Sequence, residues 1–255
     1  MPTERDDAVD VARPVADADA TVVDGRQPPS ARVPLDRNRI VDAAVGYIDE
    51  FGLPGLSMRR LGGVLGVEAM SLYRYVSGRE ALLDAVVDSI MDQMHRDEDV
   101  LARPQDGWQD YLQRLAHGVR RVALAHPKAF PLVASRPPEA PWLRPPLRSL
   151  AWVEAFLDGL RSEGFNDTAT VSAYRAFTSF LLGHLLLEVT AHGGDVGPLD
   201  VLEDSQNSQD LGKTLTPYPV VSRLGKALAE DHSAVEFEES LEDLLNRIAL
   251  MRAES

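Results

Sequence analysis

Apolar side chains recur every three or four residues along most of this chain, and no alternating stretch predicts a strand. This spacing is typical of amphipathic helices. Gly52 ends the first apolar stripe, and Ser57 is a suitable N-cap for the next helix. The predicted helices in this part cover residues 35–51, 57–65, 68–76 and 78–94. Because only a few residues separate them, the pattern predicts a small all-helical unit.

Longer amphipathic helices separated by polar loops follow. They are predicted over residues 108–125, 130–135, 147–163, 167–192, 220–230 and 234–252. The proline-rich stretch "SRPPEAPWLRPP" separates two of them, and a loop rich in Gly, Pro, Asp and Gln covers 193–219. We therefore predict an all-α fold with a head over residues 35–80 and a larger helical domain over residues 81–255.

Composition narrows the possible classes of protein. The 255 residues carry a net charge of −14, which argues against non-specific binding to nucleic acid or anionic lipid by the chain as a whole. The absence of cysteine excludes disulfides, thiol catalysis and cysteine–zinc sites. No apolar run reaches the roughly 18 residues of a membrane span, and no signal pattern opens the chain, so we expect a cytoplasmic protein without membrane contact.

The first 34 residues differ from the rest of the chain. They hold seven acidic residues and four arginines but few large apolar side chains. Such a segment buries too little surface to offset the entropy lost on ordering. We predict a disordered acidic tail over residues 1–34.

The spacing within residues 57–79 predicts a helix-turn-helix with its turn at Gly66, where glycine favours a positive φ. Gly62 lies at the predicted crossing of the two helices. The expected inward positions are Leu61, Leu65, Val67, Leu72 and Tyr75. The expected outward positions, which in such motifs meet base edges in the major groove, are Ala69, Met70, Ser71, Tyr73 and Arg74.

The local charge of this segment is opposite to that of the whole chain. Residues 57–79 contain four arginines, at positions 59, 60, 74 and 79, against the single acid Glu68. A local basic patch is what phosphate contacts require, and tyrosine hydroxyls suit the same task. In the alternative interpretation, the tyrosines are half-buried packing residues and the arginines ordinary solvated surface.

Three motifs within residues 35–94, "GLSMRRLGGVLGV", "SLYRYV" and "REALLDAV", resemble the DNA-binding domain of the tetracycline-repressor (TetR) family. The resemblance implies an all-α homodimer with a helix-turn-helix head and a ligand-binding and dimerisation domain. It implies that Arg59 contacts a base or a phosphate and that Ala69, Met70 and Ser71 face bases. It also implies that Tyr73, Tyr75 and Arg79 contact the DNA backbone. The DNA-binding candidates are Arg59, Ala69, Met70, Ser71, Tyr73, Arg74, Tyr75 and Arg79. Polar residues read bases in the tetracycline repressor where Ala69 and Met70 stand here, so a different operator is expected.

The second half resembles the C-terminal domain of the tetracycline-repressor subgroup. His95 and Glu188 match residues that hold the drug and its magnesium, but the magnesium-ligating histidine falls at about Leu132. We therefore expect an effector other than magnesium–tetracycline, one that is largely apolar or aromatic and binds without a cofactor. The ligand-binding candidates are His95, Trp108, Tyr111, Phe130, Ser135, Trp152, Tyr174, Phe177, His184 and Glu188.

One strip in the second half supports a rival class. His184, Glu188 and His192 are spaced to share a helix face, either as metal ligands of a helical enzyme or as a polar strip beside a cavity or dimer seam. The sequence has no glycine-rich phosphate loop, nucleophile elbow or cysteine, so we predict a protein that is not an enzyme.

The apolar stripe of the last helix predicts how copies of the chain associate. The stripe, with the 167–192 helix, predicts a twofold four-helix interface, and the alternative is packing within one chain. The stripe consists of Phe237, Leu241, Leu244, Leu245, Ile248 and Met251.

The predicted function is ligand-responsive regulation of transcription, by a repressor that binds palindromic double-stranded operator DNA as a dimer and is released by its effector. A third reading is an interaction module that no longer binds DNA.

Overall fold

The computed structural model describes residues 34–97, 100, 103–136, 142–145, 149–195 and 217–253. These residues form ten helices and no strand, which confirms the predicted all-α class. The predicted acidic tail, apart from Pro34, and residues 196–216 of the predicted loop lie outside the described residues. None of the described helices is long and apolar enough to cross a membrane.

The helix bounds follow the predicted pattern closely. In chain order the helices are α1 Arg37–Phe51, α2 Met58–Leu65, α3 Ala69–Leu72, α4 Arg79–Arg96, α5 Trp108–Ala125, α6 Pro131–Ser135, α7 Leu150–Ser162, α8 Asp167–Ala191, α9 Pro219–Leu228 and α10 Ser233–Ala253.

We refer to α1 to α3 and the start of α4 as the head, and to the helices that follow as the larger domain; this division stays a prediction. Asp36 caps α1 by accepting a hydrogen bond from the Arg39 amide at 2.8 Å, and Ser57 caps α2 through the Arg60 amide at 3.2 Å. Gly66 ends α2 in the left-handed region, with φ at 68°. The next amide, that of Val67, returns to the carbonyl of Gly62 at 2.9 Å, which closes the turn between α2 and α3.

The turn brings the two helices into backbone contact at Gly62. A β-carbon placed there would lie 2.8 Å from the Val67 carbonyl oxygen and 3.2 Å from the Ala69 amide nitrogen. Only glycine fits such an approach without movement of α3. The expected crossing at Gly62 is therefore present in the structure.

Helix α3 differs from its prediction. It contains four residues instead of the nine predicted over 68–76, and turns follow it, in which the amides of Tyr75 and Val76 both bond to the Leu72 carbonyl. Leu72 is fully buried and Val76 is 4% exposed, whereas Tyr75 is 42% exposed. The expected inward position of Tyr75 is therefore wrong, because Val76 lies one turn from Leu72 and occupies that place in the core.

Helix α4 joins the head to the larger domain. Its apolar face is buried along its whole length, from Leu82 to Met94, and it packs on α1, α5 and α6. The larger domain is centred on α8, which packs on α5, α7 and α10. Aromatic contacts fill the space between α7 and α8, where the Phe156 ring lies 5.5 Å from that of Phe177.

Helix α10 packs on α8 of the same chain. Its buried stripe, from Phe237 to Ile248, packs against α8 within a single chain, and Phe237 has no exposed surface. The buried stripe therefore follows the alternative of packing within one chain, and the twofold four-helix interface between copies stays a prediction. Other side chains of these two helices stay exposed, among them Leu187 at 72% and Leu250 at 66%.

The contact at Gly62 gives a paired prediction. Gly62→Ala forces α3 away from α2, and we expect it to lower the free energy of unfolding by about 1–3 kcal/mol. Gly63→Ala is the matched control, since a β-carbon there meets nothing within 4 Å and alanine gains helix propensity, up to about 1 kcal/mol. Urea unfolding of both variants checks this. Equal stabilities would show that α3 does not depend on the close approach.

Candidate nucleic-acid interface and ligand cavity

One face of the head presents large side chains to solvent. Met70 is 75% exposed, Tyr73 46% and Tyr75 42%. Arg59 and Arg74 are also exposed, while Ala69 and Ser71 are half-buried. We call these seven residues the head surface. The predicted DNA-binding residues other than Arg79 thus occupy this accessible surface, although their contacts with DNA stay a prediction.

Of the four arginines in residues 57–79, two bond to backbone carbonyls of the head and two project into solvent. Arg60 donates to the Gly55 carbonyl at 2.8 Å, and Arg79 donates from Nε to the Leu56 carbonyl at 3.4 Å. Within the described residues, Arg59 and Arg74 are in no ion pair. Their charge is therefore available for an external anion, such as a phosphate.

Arg79 is less accessible than expected. Its side chain is 37% exposed and lies 3.8 Å from a carboxylate oxygen of Glu80. Together with its bond to Leu56, this ties the start of α4 to the turn before α2. Its predicted role at the DNA backbone remains a prediction.

A cavity lies in the larger domain, between α4, α5, α6, α7 and α8, and it has a volume of about 80 Å³. Its walls are almost entirely apolar. Its lining residues are Met91, Met94, Leu115, Val119, Phe130, Val133, Trp152, Phe156, Tyr174, Phe177, Thr178, Leu181 and Leu182.

The cavity lining has few polar side-chain atoms, and most of them already form hydrogen bonds within the protein. The Tyr174 hydroxyl donates to the Pro145 carbonyl at 2.9 Å, and burial raises the pKa of Tyr174 to about 12. The Trp152 indole donates from Nε1 to Nδ1 of His95 at 3.1 Å. Thr178 is the remaining polar side chain of the lining. The cavity therefore suits an apolar or aromatic molecule that makes few hydrogen bonds.

The structure brings together about half of the predicted ligand-binding residues. Phe130, Trp152, Tyr174 and Phe177 line the cavity. His95 lies outside the lining but packs on Trp152 in a tilted arrangement, with ring centroids 4.5 Å apart. The other five predicted residues, which also lie outside the lining, are Trp108, Tyr111, Ser135, His184 and Glu188.

The five outside residues have other contacts. Trp108 packs on Phe165 with ring centroids 5.4 Å apart, and the Tyr111 hydroxyl donates to the Ala155 carbonyl at 3.5 Å. Ser135 donates to the carbonyl of Leu132 on its own helix. These contacts belong to the packed core, as is ordinary for aromatic side chains at helical spacing.

Glu188 has a partner that its sequence spacing does not reveal. Its side chain is 1% exposed and forms a bidentate ion pair with Arg120 on α5, at 3.0 Å from Nε and 2.5 Å from Nη2. The hydrogen bond to Glu188 is the main cause that raises the pKa of Arg120. The guanidinium also lies 5.1 Å from the ring centroid of Phe237, in cation–π geometry.

The predicted strip of His184, Glu188 and His192 does not form a ligand set. His184 Nε2 lies 3.1 Å from the Ser233 carbonyl and 4.0 Å from Glu188, and His192 is exposed. Among the described residues, no three His, Asp or Glu side chains lie together as metal ligands. Of the two interpretations of the strip, the arrangement fits polar packing between α5, α8 and α10.

Several lining residues were not singled out from the sequence. Met91 and Met94 on α4, Leu115 and Val119 on α5, and Leu181 on α8 have the same helical spacing as core residues. The cavity between them arises where five helices meet, which periodicity along one helix does not encode. The sequence places these residues on the apolar stripes of their helices, and this is its one indication that they could line a cavity.

The family description "Tetracyclin repressor-like, C-terminal domain" matches residues 102–251. The chain belongs to the TetR family. This confirms the family that the sequence motifs predict. The sequence is 33% identical to the HTH-type transcriptional repressor DrrR1 of Streptomyces coeruleorubidus over 160 residues, 62% of this chain and 56% of that protein. The match therefore spans little more than half the length of that relative.

Other TetR relatives are similar over larger shares of their length. The class A tetracycline repressor of Escherichia coli is 29% identical over 64% of this chain and 71% of the repressor. A possible TetR family regulator from Streptomyces coelicolor A3(2) superposes with a TM-score of 0.63, at 28% identity, over 84% of this chain and 99% of its own. ActR of Streptomyces coelicolor, in complex with actinorhodin, superposes with a TM-score of 0.60, at 26% identity, over 85% and 96%. These relatives are regulators, so the comparisons lend no support to the metalloenzyme alternative.

The Arg120–Glu188 pair gives a stability prediction. Arg120→Met leaves a carboxylate buried without its partner, and we expect a loss of roughly 3 kcal/mol or more in the free energy of unfolding. Arg121→Met is the matched control, because Arg121 pairs with Asp97 at an exposed site, where a pair contributes at most about 1 kcal/mol. Urea unfolding measures both. A double variant, Arg120→Met with Glu188→Met, should recover most of the loss, and failure to do so would mean that packing of the Arg120 stem dominates.

Proposed function

We propose that this protein is a ligand-responsive transcriptional repressor that acts by binding and not by catalysis. It binds a palindromic operator as a dimer and leaves it when a small, largely apolar or aromatic effector occupies the cavity. The observation that carries the proposal is the head surface, where Met70, Tyr73 and Tyr75 project beside Arg59 and Arg74, two cations in no ion pair within the described residues. This local positive charge stands in a chain of net charge −14.

The requirement for a dimer follows from the size of the head. A single short recognition helix reaches few base pairs, whereas two heads about one helical turn apart read two half-sites. Exposed apolar side chains on the larger domain support association of two copies. On α9, Val220, Leu224 and Leu228 are 57%, 45% and 69% exposed, on a helix with no buried residue. Leu187 of α8 and Leu250 of α10 are also exposed apolar side chains.

The effector class follows from the cavity. Its lining of methionine, leucine, valine and aromatic side chains favours an apolar or aromatic molecule. ActR, to which this chain is similar, has been solved with actinorhodin, and we propose a comparable type of compound here. A volume of about 80 Å³ is too small for a polycyclic compound, since ligand pockets commonly have roughly 300 Å³ or more. Effector binding therefore requires the surrounding helices to separate.

Two helices link the cavity to the head. Val133 on α6 lines the cavity, and Arg136, just after α6, donates to Glu80 and Asp84 of α4, each at 2.7 Å. Helix α4 also lines the cavity through Met91 and starts in the head. A molecule that widens the cavity thus acts on α4 at both ends.

A second link joins the end of α5 to α1 of the head. His126 donates from Nδ1 to Asp49 at 2.7 Å, and Lys128 donates to the Glu50 carbonyl at 2.8 Å. The Nε2 atom of His126 lies 2.9 Å from Oε1 of Gln93 on α4. An effector releases the operator only as far as it favours one placement of the head over another.

DNA binding is tested with sequences selected from a random duplex pool. Arg59→Ala and Tyr73→Ala should each weaken binding to the selected operator about tenfold or more, and Arg59→Ala should also lower the salt slope by about one if Arg59 contacts a phosphate. Arg161→Ala is the control, because Arg161 is an exposed arginine on α7 paired with Asp167. A chain that binds no duplex in a salt-dependent way would support the interaction-module reading instead.

Coupling is tested at Arg136. Replacing Arg136 by methionine removes both ion pairs to α4. The effector for this test is found by screening aromatic compounds for release of the operator. We expect its effect on operator affinity to be at least about tenfold smaller for the variant than for the wild-type chain. Its affinity for the DNA-free protein should change much less. Arg121→Met serves as the control, since its partner Asp97 follows α4 on the far side from the head. If the effector still releases the Arg136→Met variant fully from its operator, coupling between the cavity and the head runs by another route.

A further inference from the structure

Met70 is the most exposed large apolar side chain of the head. It is 75% exposed, at the second position of α3, and the first position of that helix is Ala69, also apolar. A solvated methionine gives nothing to the stability of an isolated chain. It belongs to the exposed head surface and lies in the chain between Arg60 and Arg74, so we look for its partner on the proposed DNA.

The chemistry of the major groove limits what this partner is. Most groups on base edges there are hydrogen-bond donors or acceptors, and the C5-methyl group of thymine is the apolar one. Methionine has no donor and only a weak acceptor, and alanine has neither in its side chain. The side chains at the first two positions of α3 therefore cannot read base edges by strong hydrogen bonds. Within the four residues of α3, Ser71 is the one that carries a hydroxyl.

The backbone of α3 is held firmly while the Met70 side chain is free to adapt. Leu72 is fully buried and Val76 is 4% exposed, which fixes the end of the helix. The close approach at Gly62 fixes its start. The flexible thioether chain can then adjust to an apolar surface from a fixed Cα position.

We propose that Met70 packs against the C5-methyl group of one thymine in each operator half-site, with Ala69 bordering the same methyl group. Specificity at this base pair then comes from apolar contact instead of hydrogen bonding. The inference rests on the proposed function and adds to it the chemical feature that the head recognises. Because 5-methylcytosine carries the same methyl group at C5, it is the one other base in duplex DNA that offers this contact.

The test begins with the operator selected by the wild-type chain. Each thymine is replaced in turn by deoxyuridine, which removes the methyl group and leaves every hydrogen-bonding group in place. We expect one thymine in each half-site whose replacement weakens binding about three- to tenfold. The other replacements should change the affinity less than twofold. A uniform response to all replacements, or none, would overturn the inference.

Variants of Met70 identify the side chain that contacts the methyl group. Met70→Ala should bind the thymine and deoxyuridine operators equally well, whereas Met70→Leu should keep most of the difference. Val64→Ala is the matched control, because Val64 is 60% exposed on α2 of the same head. It should keep the full sensitivity to deoxyuridine. Circular dichroism and urea unfolding establish that the variants fold, as their exposure leads us to expect.

A cytosine series separates the methyl group from the rest of thymine. With the sensitive T·A pair replaced by C·G, the addition of a 5-methyl group to that cytosine should recover about threefold or more of the lost affinity for wild-type protein. It should recover none for Met70→Ala. Equal binding of both cytosine operators by the wild-type chain would contradict the proposed contact.

Failure of the inference and failure of the proposed function give different results. If the wild-type chain binds no duplex in a salt-dependent manner, the function itself is wrong. If the chain selects an operator but Met70→Ala keeps the sensitivity to deoxyuridine, the repressor proposal stands and the methyl contact does not. A selected operator without thymine in its half-sites has the same meaning.

Discussion

Helix α4 is the constraint on which the rest of the structure depends, because one stretch of 18 residues is buried in two places at once. Its first half, through Leu82 and Val86, belongs to the core of the head, where α4 packs on α1. Its second half, through Met91 and Met94, forms part of the cavity wall. Close-packed interiors transmit displacement and do not absorb it. Under the proposed function, a change in the cavity wall is therefore expected to pass along α4 to the head.

Much of the fold could be predicted from the sequence because local signals coincide with tertiary demands. Ser57 caps α2, Gly52 follows α1 with a positive φ, and Pro127 follows the end of α5. Each of these residues acts through its own backbone or side-chain chemistry, with little regard to distant partners. Helix α3 is the exception. Its periodicity continues to Val76, but a four-residue helix followed by turns buries Leu72 and Val76 just as a longer helix would and leaves only Tyr75 outside, so the apolar pattern does not distinguish the two geometries.

The candidate sites were predicted less evenly, for physical reasons that differ between them. The head surface follows from a short sequence window, since every residue in it lies within one helix-turn-helix. The cavity depends on the meeting of five helices, so the sequence indicates Phe130, Trp152, Tyr174 and Phe177 but not where the packing leaves space. Glu188 is the clearest case: its partner, Arg120, lies 68 residues away in the chain and on another helix. No helical spacing rule connects two such positions.

The small volume of the cavity also bears on how fast the protein responds. If the effector is a polycyclic compound, as proposed, it enters only when the helices around the cavity have moved apart, so its association would be slower than diffusion allows. The same barrier would delay its escape. Expression would then respond to a sustained supply of the compound more than to a brief pulse, because the tight apolar packing leaves only about 80 Å³ of space.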